Sequence, residues 1–125
     1  MTALVDTSIL IDHLRGDRRA ADLMEDERSS GALHASEITR LEVLAGMRRA
    51  EEGPTRLLLS TLIWHEVDGE VAEAAGELGR RWLPSHSGID SADLAIAATA
   101  IVTGARLLTL NVRHFPMFPT LRRPY

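Results

Sequence analysis

The chain has 125 residues, 45% of them hydrophobic, with a net charge of −4, which describes one globular domain over residues 1–125 rather than a simple basic nucleic-acid binder. It has no Cys and no Lys, which excludes disulfides, thiolate zinc sites, cysteine nucleophiles, a Walker A phosphate loop, Schiff-base catalysis and a protein kinase. No apolar run reaches the ~18 residues of a membrane span, and MTALVD lacks the basic and apolar regions of a signal peptide, so a cytoplasmic protein without a membrane role is expected.

Short apolar runs alternate with helical segments, the pattern of an α/β fold with a parallel sheet. Ala3 to Val5 reads as a buried strand, followed by helical spacing from Ser8 to Leu14 that stops at Gly16. Arg18 to Glu27 reads as a second helix and Ala32 to Ala35 as a second strand. Ser36 has the character of an N-cap, with SEITRLEVLAGMRRAEE continuing as helix up to Gly53-Pro54. A short helix over Thr55 to Thr61 and a third strand over Leu62 to Val67 follow. Asp68 or Gly69 opens a long helix ending near Pro84. Asp90 to Thr103 is a strongly apolar helix closed by Gly104. Arg106 to Leu110 is the last clear strand, and the tail NVRHFPMFPTLRRPY, with three prolines, has room for a short edge strand.

Several oxygen-bearing side chains stand where an apolar sequence would be expected. Asp6 follows the first strand directly, at the strand end where open α/β sheets collect ligands; its ordinary alternative is a helix cap, a role open to Ser8 as well. Glu42 projects about 40° from Ile38 and about 60° from Ala45 on its helix, at the edge of an apolar face formed by Ile38, Leu41 and Ala45. A surface Glu paired with Arg40 or Arg49 is the alternative. Asp90 and Asp93 open the apolar helix three residues apart, the spacing of a capping box, yet Asp93 also borders Leu94, Ala97 and Ile101. Asn111 follows the strand RLLTL, where a turn Asn is equally natural. Asp12 fits no pattern.

Collected together, these acids conflict. Two carboxylates ~4 Å apart at an effective dielectric of ~20 repel by about 4 kcal/mol, so a cluster calls for a cation. With no Cys and scattered His, the donors are oxygens, which select a hard ion, Mg²⁺ or Mn²⁺. Such an ion acidifies water and stabilises in-line attack on a phosphodiester. Four arginine doublets (18-19, 48-49, 80-81 and 122-123) are either solvated helix faces or phosphate contacts. Five aromatic residues are too few for base stacking to dominate binding. Trp64 and Trp82 read as core or interface.

In this order and spacing VDTSILID (5–12), ITRLEVLAG (38–46), DLAIAATA (93–100) and LLTLNVRHF (107–115) resemble the PIN-domain family, and more narrowly the VapC toxins of bacterial toxin–antitoxin pairs. The resemblance spans essentially the whole chain. It implies a three-layer α/β/α fold on a central parallel sheet of four to five strands, and an Mg²⁺-dependent endoribonuclease acting on RNA. It also implies frequent homodimers and a VapB-like antitoxin that blocks the toxin. The family's acids fall on Asp6, Glu42 and Asp93 as metal ligands and catalytic groups, and Ser8 matches a hydroxyl that supports the first Asp. Asn111 stands at a fourth site where many PIN domains carry Asp. This departure lowers the site's charge and leaves a second metal open, with Asp90 as an extra acid nearby. His114 falls near the site, either as a general base or as a packing residue before Phe115. A haloacid-dehalogenase-like phosphatase is disfavoured by Ser8 in the place of its second Asp and by the missing Lys. A flap-type nuclease lacks its extra helical modules here. A degenerate PIN domain that only binds RNA or protein is the principal alternative.

Overall fold

The first strand sets the layering. In β1 (Ala3–Val5) every residue is buried, and successive side chains point to opposite faces. Ala3 and Val5 join one apolar core while Leu4 joins another. A strand that feeds two cores must be covered on both sides. In this computed structural model, which describes residues 2–125, helices lie on both faces of one sheet.

The chain order is β1, α1 (Thr7–Leu14), α2 (Arg18–Ser30), β2 (Leu33–Ser36), α3 (Glu37–Ala45), a 3₁₀ turn at Arg49–Glu51, α4 (Glu52–Leu59), β3 (Ile63–His65), α5 (Gly69–Trp82), α6 (Ser91–Thr103), β4 (Arg106–Leu108) and a 3₁₀ turn at Val112–His114. The four strands are parallel in the order β3-β2-β1-β4, with Ala3 level with both Leu33 and Arg106. The expected three-layer α/β/α fold is therefore present, with four strands among the described residues. Ile9, Leu10, Met24, Val43 and Leu58 pack in the core of one face; Ile96, Ala97 and Phe115 pack in that of the other. None of the described helices is long and apolar enough to cross a membrane.

This order places the site. The chain leaves β1 toward β2 and β3, then returns to β4 on the other side of β1. The order thus reverses between β1 and β4, and a crevice opens beyond the carboxyl ends of strands at such a switch. Asp6 follows β1 and Thr109 follows β4, so both stand at its mouth.

Local signals explain most boundaries. Ser36 caps α3 by accepting from the Ile38 N–H, and Asp68 caps α5 by accepting from the Val71 N–H. Gly104 closes α6 at φ +68, a left-handed conformation that glycine adopts without steric cost. Gly79 lets α5 approach α6, since a Cβ there would stand 3.2 Å from Leu94 Cδ1.

Four expectations are corrected. The helix from Ser36 does not run to Gly53-Pro54: it ends at Ala45, and Gly53 and Pro54 lie in the first turn of α4. Proline fits there because its missing N–H would have had no helical partner. The inward face of α3 is Thr39 and Val43, while Leu41 is 60% exposed. Likewise Ile101, expected to pack inward on α6, is exposed. The tail forms no fifth strand among the described residues; Pro116, Pro119 and Pro124 cannot donate to a ladder.

Candidate active site

Asp6 is only 3% exposed, so its carboxylate needs partners. It occupies the N-cap position of α1, yet its side chain makes no capping bond. Its Oδ2 instead accepts hydrogen bonds from Ser8 Oγ (2.9 Å) and Thr109 Oγ1 (2.7 Å). Ser8 Oγ accepts from the Leu110 N–H, and Thr109 Oγ1 accepts from the Asn111 N–H. These bonds tie the start of α1 to the chain leaving β4 and spend both donors on one carboxylate oxygen. Oδ1 takes no protein hydrogen bond and is not buried, so it faces solvent.

Glu42 repeats the pattern from α3. Neither Arg40 nor Arg49 pairs with it; Arg40 pairs with Glu37 and lies over the Trp64 ring. Thr7 Oγ1 donates to Glu42 Oε1 at 2.6 Å, with the Thr39 hydroxyl 3.1 Å behind it. A hydroxyl has one proton, and the shorter contact to the charged group takes it. Thr7 also starts α1, so this bond fixes α3 against α1.

Asp93 is 8% exposed in the first turn of α6. The capping-box reading holds: Asp90 Oδ1 accepts from the Asp93 N–H at 2.8 Å, and Asp93 Oδ2 accepts from the Asp90 N–H at 3.1 Å. Capping does not exhaust the residue, because Oδ1 takes no bond and is not a buried orphan. His114 Nδ1 lies 3.1 Å from Asp93 Oδ2. Burial above all, with the charge of Asp90, pushes the Asp93 carboxyl up to about 6, while the hydrogen bond from the Asp90 N–H and then His114 pull the other way.

All four expected site residues, Asp6, Glu42, Asp93 and Asn111, line one open cleft of about 420 Å³. Ser8, Asp90 and His114 line it too, as does Asp12, whose Oδ2 also accepts from the Tyr125 hydroxyl at 2.9 Å. Five carboxylates therefore share the cleft with one arginine, Arg15. Among the described residues no three His, Asp or Glu side chains are gathered closely enough to hold one metal ion by themselves. The donor set still fits a hard divalent ion. Mg²⁺ is held by one or two carboxylates with water completing its shell, and Asp6, Glu42 and Asp93 each keep an oxygen without a protein partner.

The supporting hydroxyls of Thr109 and Thr39 escaped the sequence reading. Thr109 left a signal, the one hydroxyl in the apolar run LLTL. Thr39 left none beyond its spacing from Val43.

A family model for the PIN domain matches residues 3–117. The chain belongs to the PIN-domain family. Ribonuclease VapC19 of Mycobacterium tuberculosis is 49% identical over 123 residues, 98% of both chains. Ribonuclease VapC10 of the same species is 41% identical over 122 residues, covering 98% of this chain and 92% of that one. Among solved structures, a toxin–antitoxin complex from Klebsiella pneumoniae superposes with a TM-score of 0.82 at 31% identity, over 99% of this chain and 98% of that chain. The match to the PIN model takes in β1 through the Val112–His114 turn, and so every residue of the acid cleft.

Proposed function

We propose that this protein is a VapC-type toxin, an endoribonuclease that requires Mg²⁺ or Mn²⁺ and is neutralised by a VapB-like antitoxin. The observation that carries the reading is the meeting of Asp6, Glu42 and Asp93 from three separate elements in one cleft, each with an open carboxylate oxygen. Relatives named as ribonucleases, at up to 49% identity over nearly the whole chain, support the reaction class. The toxin–antitoxin assembly of the Klebsiella neighbour supports the partner.

Asp6 and Asp93 would hold the ion, with Glu42 as a further ligand or as a group that orients water. A divalent ion there supplies an acidified water and counter-charge for the phosphate. Ser8 and Thr109 hold Asp6 in one orientation, and Thr7 does the same for Glu42. A carboxylate that cannot turn away loses no orientational freedom when ion and substrate arrive. Asn111 brings an amide rather than a charge to the same wall, so the cleft's negative charge comes from its five carboxylates alone. His114, next to Asp93, is placed to exchange a proton at Asp93 Oδ2. The same reading takes the protein as cytoplasmic and as a homodimer, and sedimentation reads the second of these directly.

The test is cleavage of RNA by the purified protein. Cutting that stops in EDTA and returns with Mg²⁺ or Mn²⁺ supports the proposal. Cutting that continues in EDTA overturns the metal requirement. A PIN domain that binds RNA without cutting, the reading favoured by Asn111 in place of an acid, would give binding and no new ends.

A further inference from the structure

A second hollow, of about 240 Å³, adjoins the acid cleft between α1, α3 and the Arg49–Glu51 turn. The two share Ile11, Arg15 and Glu42, so they form one continuous depression. Its chemistry changes across that boundary. Beyond Arg15 the walls are Leu14, Val43 and Met47, with Arg48 at the rim.

Nine of the fourteen arginines form no ion pair with a carboxylate among the described residues, and what sets Arg15 and Arg48 apart is their place beside the acid cleft. Arg19, Arg40, Arg56, Arg80 and Arg106 each form an ion pair with a carboxylate. Arg15 and Arg48 form none among the described residues, although Arg15 borders five acids. The two acids that line this hollow have other partners: Glu42 accepts from Thr7, and Glu51 accepts from the Arg48 main-chain N–H at 2.7 Å. Two uncommitted guanidinium groups flank an apolar wall next to a cleft suited to a phosphodiester. Guanidinium forks match phosphate oxygens, and an apolar wall with a polarisable Met accepts the face of a base.

We propose that this hollow is a nucleotide subsite, which receives the base adjoining the scissile bond, with Arg15 on the phosphate between hollow and cleft and Arg48 on the next one. The inference rests on the ribonuclease reading and adds to it where the RNA strand runs and which residues sense its sequence. Continuity with the acid cleft and the uncommitted positive charge favour a nucleic-acid strand over a protein segment as occupant.

The experiment has two arms. Binding of a fluorescent, randomised single-stranded RNA is measured by anisotropy in Ca²⁺ against salt concentration, and cut sites are sequenced after incubation with Mg²⁺. Arg15→Gln and Arg48→Gln should each lower the slope of log affinity on log salt by about 0.7, the value for one phosphate contact on a single strand. Arg15→Lys should keep the slope but cut more slowly, because it keeps the charge and loses the fork. Met47→Ala should relax base preference at a single position beside the cut. Both arginines are exposed and unpaired, so melting temperatures should stay at the wild-type value. Unchanged slopes and unchanged base preference in an Arg15→Gln/Arg48→Gln double variant, with the wild type cutting normally, would overturn the subsite, and a protein segment would be the better occupant. A wild type that neither binds nor cuts RNA would overturn the ribonuclease reading, and the subsite with it.

Discussion

Thr109 Oγ1 donates a 2.7 Å hydrogen bond to Asp6 Oδ2 between residues 103 positions apart in the chain. Thr109 is wholly buried, and the bond crosses the β1/β4 switch point. It answers why a carboxylate can follow a buried strand: burial is offset by two hydroxyl donors, and one oxygen is left for chemistry.

Thr109→Val removes one of those donors at nearly constant volume. It should cost about 1–3 kcal/mol of stability, the range for a buried acceptor losing a partner, and should reduce RNA cleavage through a loosened Asp6. Thr109→Ser should retain most of both. Urea unfolding and cleavage assays on the two variants check this; wild-type behaviour of Thr109→Val would show the bond to be incidental.

Glu42→Gln separates charge from scaffold. The amide oxygen can still accept from Thr7, so α1 and α3 should stay joined and stability should remain within about 0.5 kcal/mol of wild type. Cleavage should fall by about tenfold or more, since a charged group facing the proposed ion is lost. A variant that cuts at the wild-type rate would remove Glu42 from the site.

These side chains mark how far the sequence could be read. The acids were legible because each broke an apolar pattern at a strand end or helix edge: Asp6 after ALV, Asp93 ahead of LAIAA, Asn111 after RLLTL. Ser36, Asp90 and Gly104 announced helix ends through residue type alone. Thr109 was not legible as a site support, because a hydroxyl that stabilises a carboxylate from another element has no signature within its own segment; Thr39 was not, because it meets only the Thr7 hydroxyl of α1. Gly53-Pro54 misled because the same dipeptide can end a helix or open one, and only the break at Gly46 decides between them. Asp12 became intelligible only with the tail in place, since Tyr125 reaches it from the far end of the chain.

Asp93 gives the metal-free protein a pH signature. Its carboxyl is raised, by burial first, from an ordinary 3.8 to about 6. The folded state therefore prefers the proton more than the unfolded state does, and this contribution to stability is lost as pH rises from about 4 to about 6. In thermal melts without divalent ions, Asp93→Asn should gain on the wild type across that window and hold a constant advantage above it. Added Mg²⁺ should stabilise the wild type more at pH 7.5 than at pH 5, because proton and ion compete for the carboxylate. Equal Mg²⁺ stabilisation at both values would contradict Asp93 as a ligand.

Gly79 supports the same group at a distance. A Leu side chain there would meet Leu94 Cδ1 and Leu83 Cδ1, which already lie 3.2 Å and 3.4 Å from the position of a Cβ. Gly79→Leu should cost about 1–3 kcal/mol by overpacking. It should also weaken cleavage, since Leu94 is adjacent to Asp93. Chemical denaturation and single-turnover rates measure the two effects.

The central claim is that the carboxylate held by Ser8 and Thr109 works with a divalent ion to cut RNA. Its most direct test is single-turnover cleavage of RNA in Mg²⁺ by wild type and by Asp6→Asn, with folding of both checked by circular dichroism. The account predicts that the folded variant loses at least about a hundredfold in rate, the order of effect seen when one preorganised catalytic group is removed, and that EDTA abolishes wild-type cutting. A folded Asp6→Asn protein that cleaves within about twofold of the wild-type rate would contradict it.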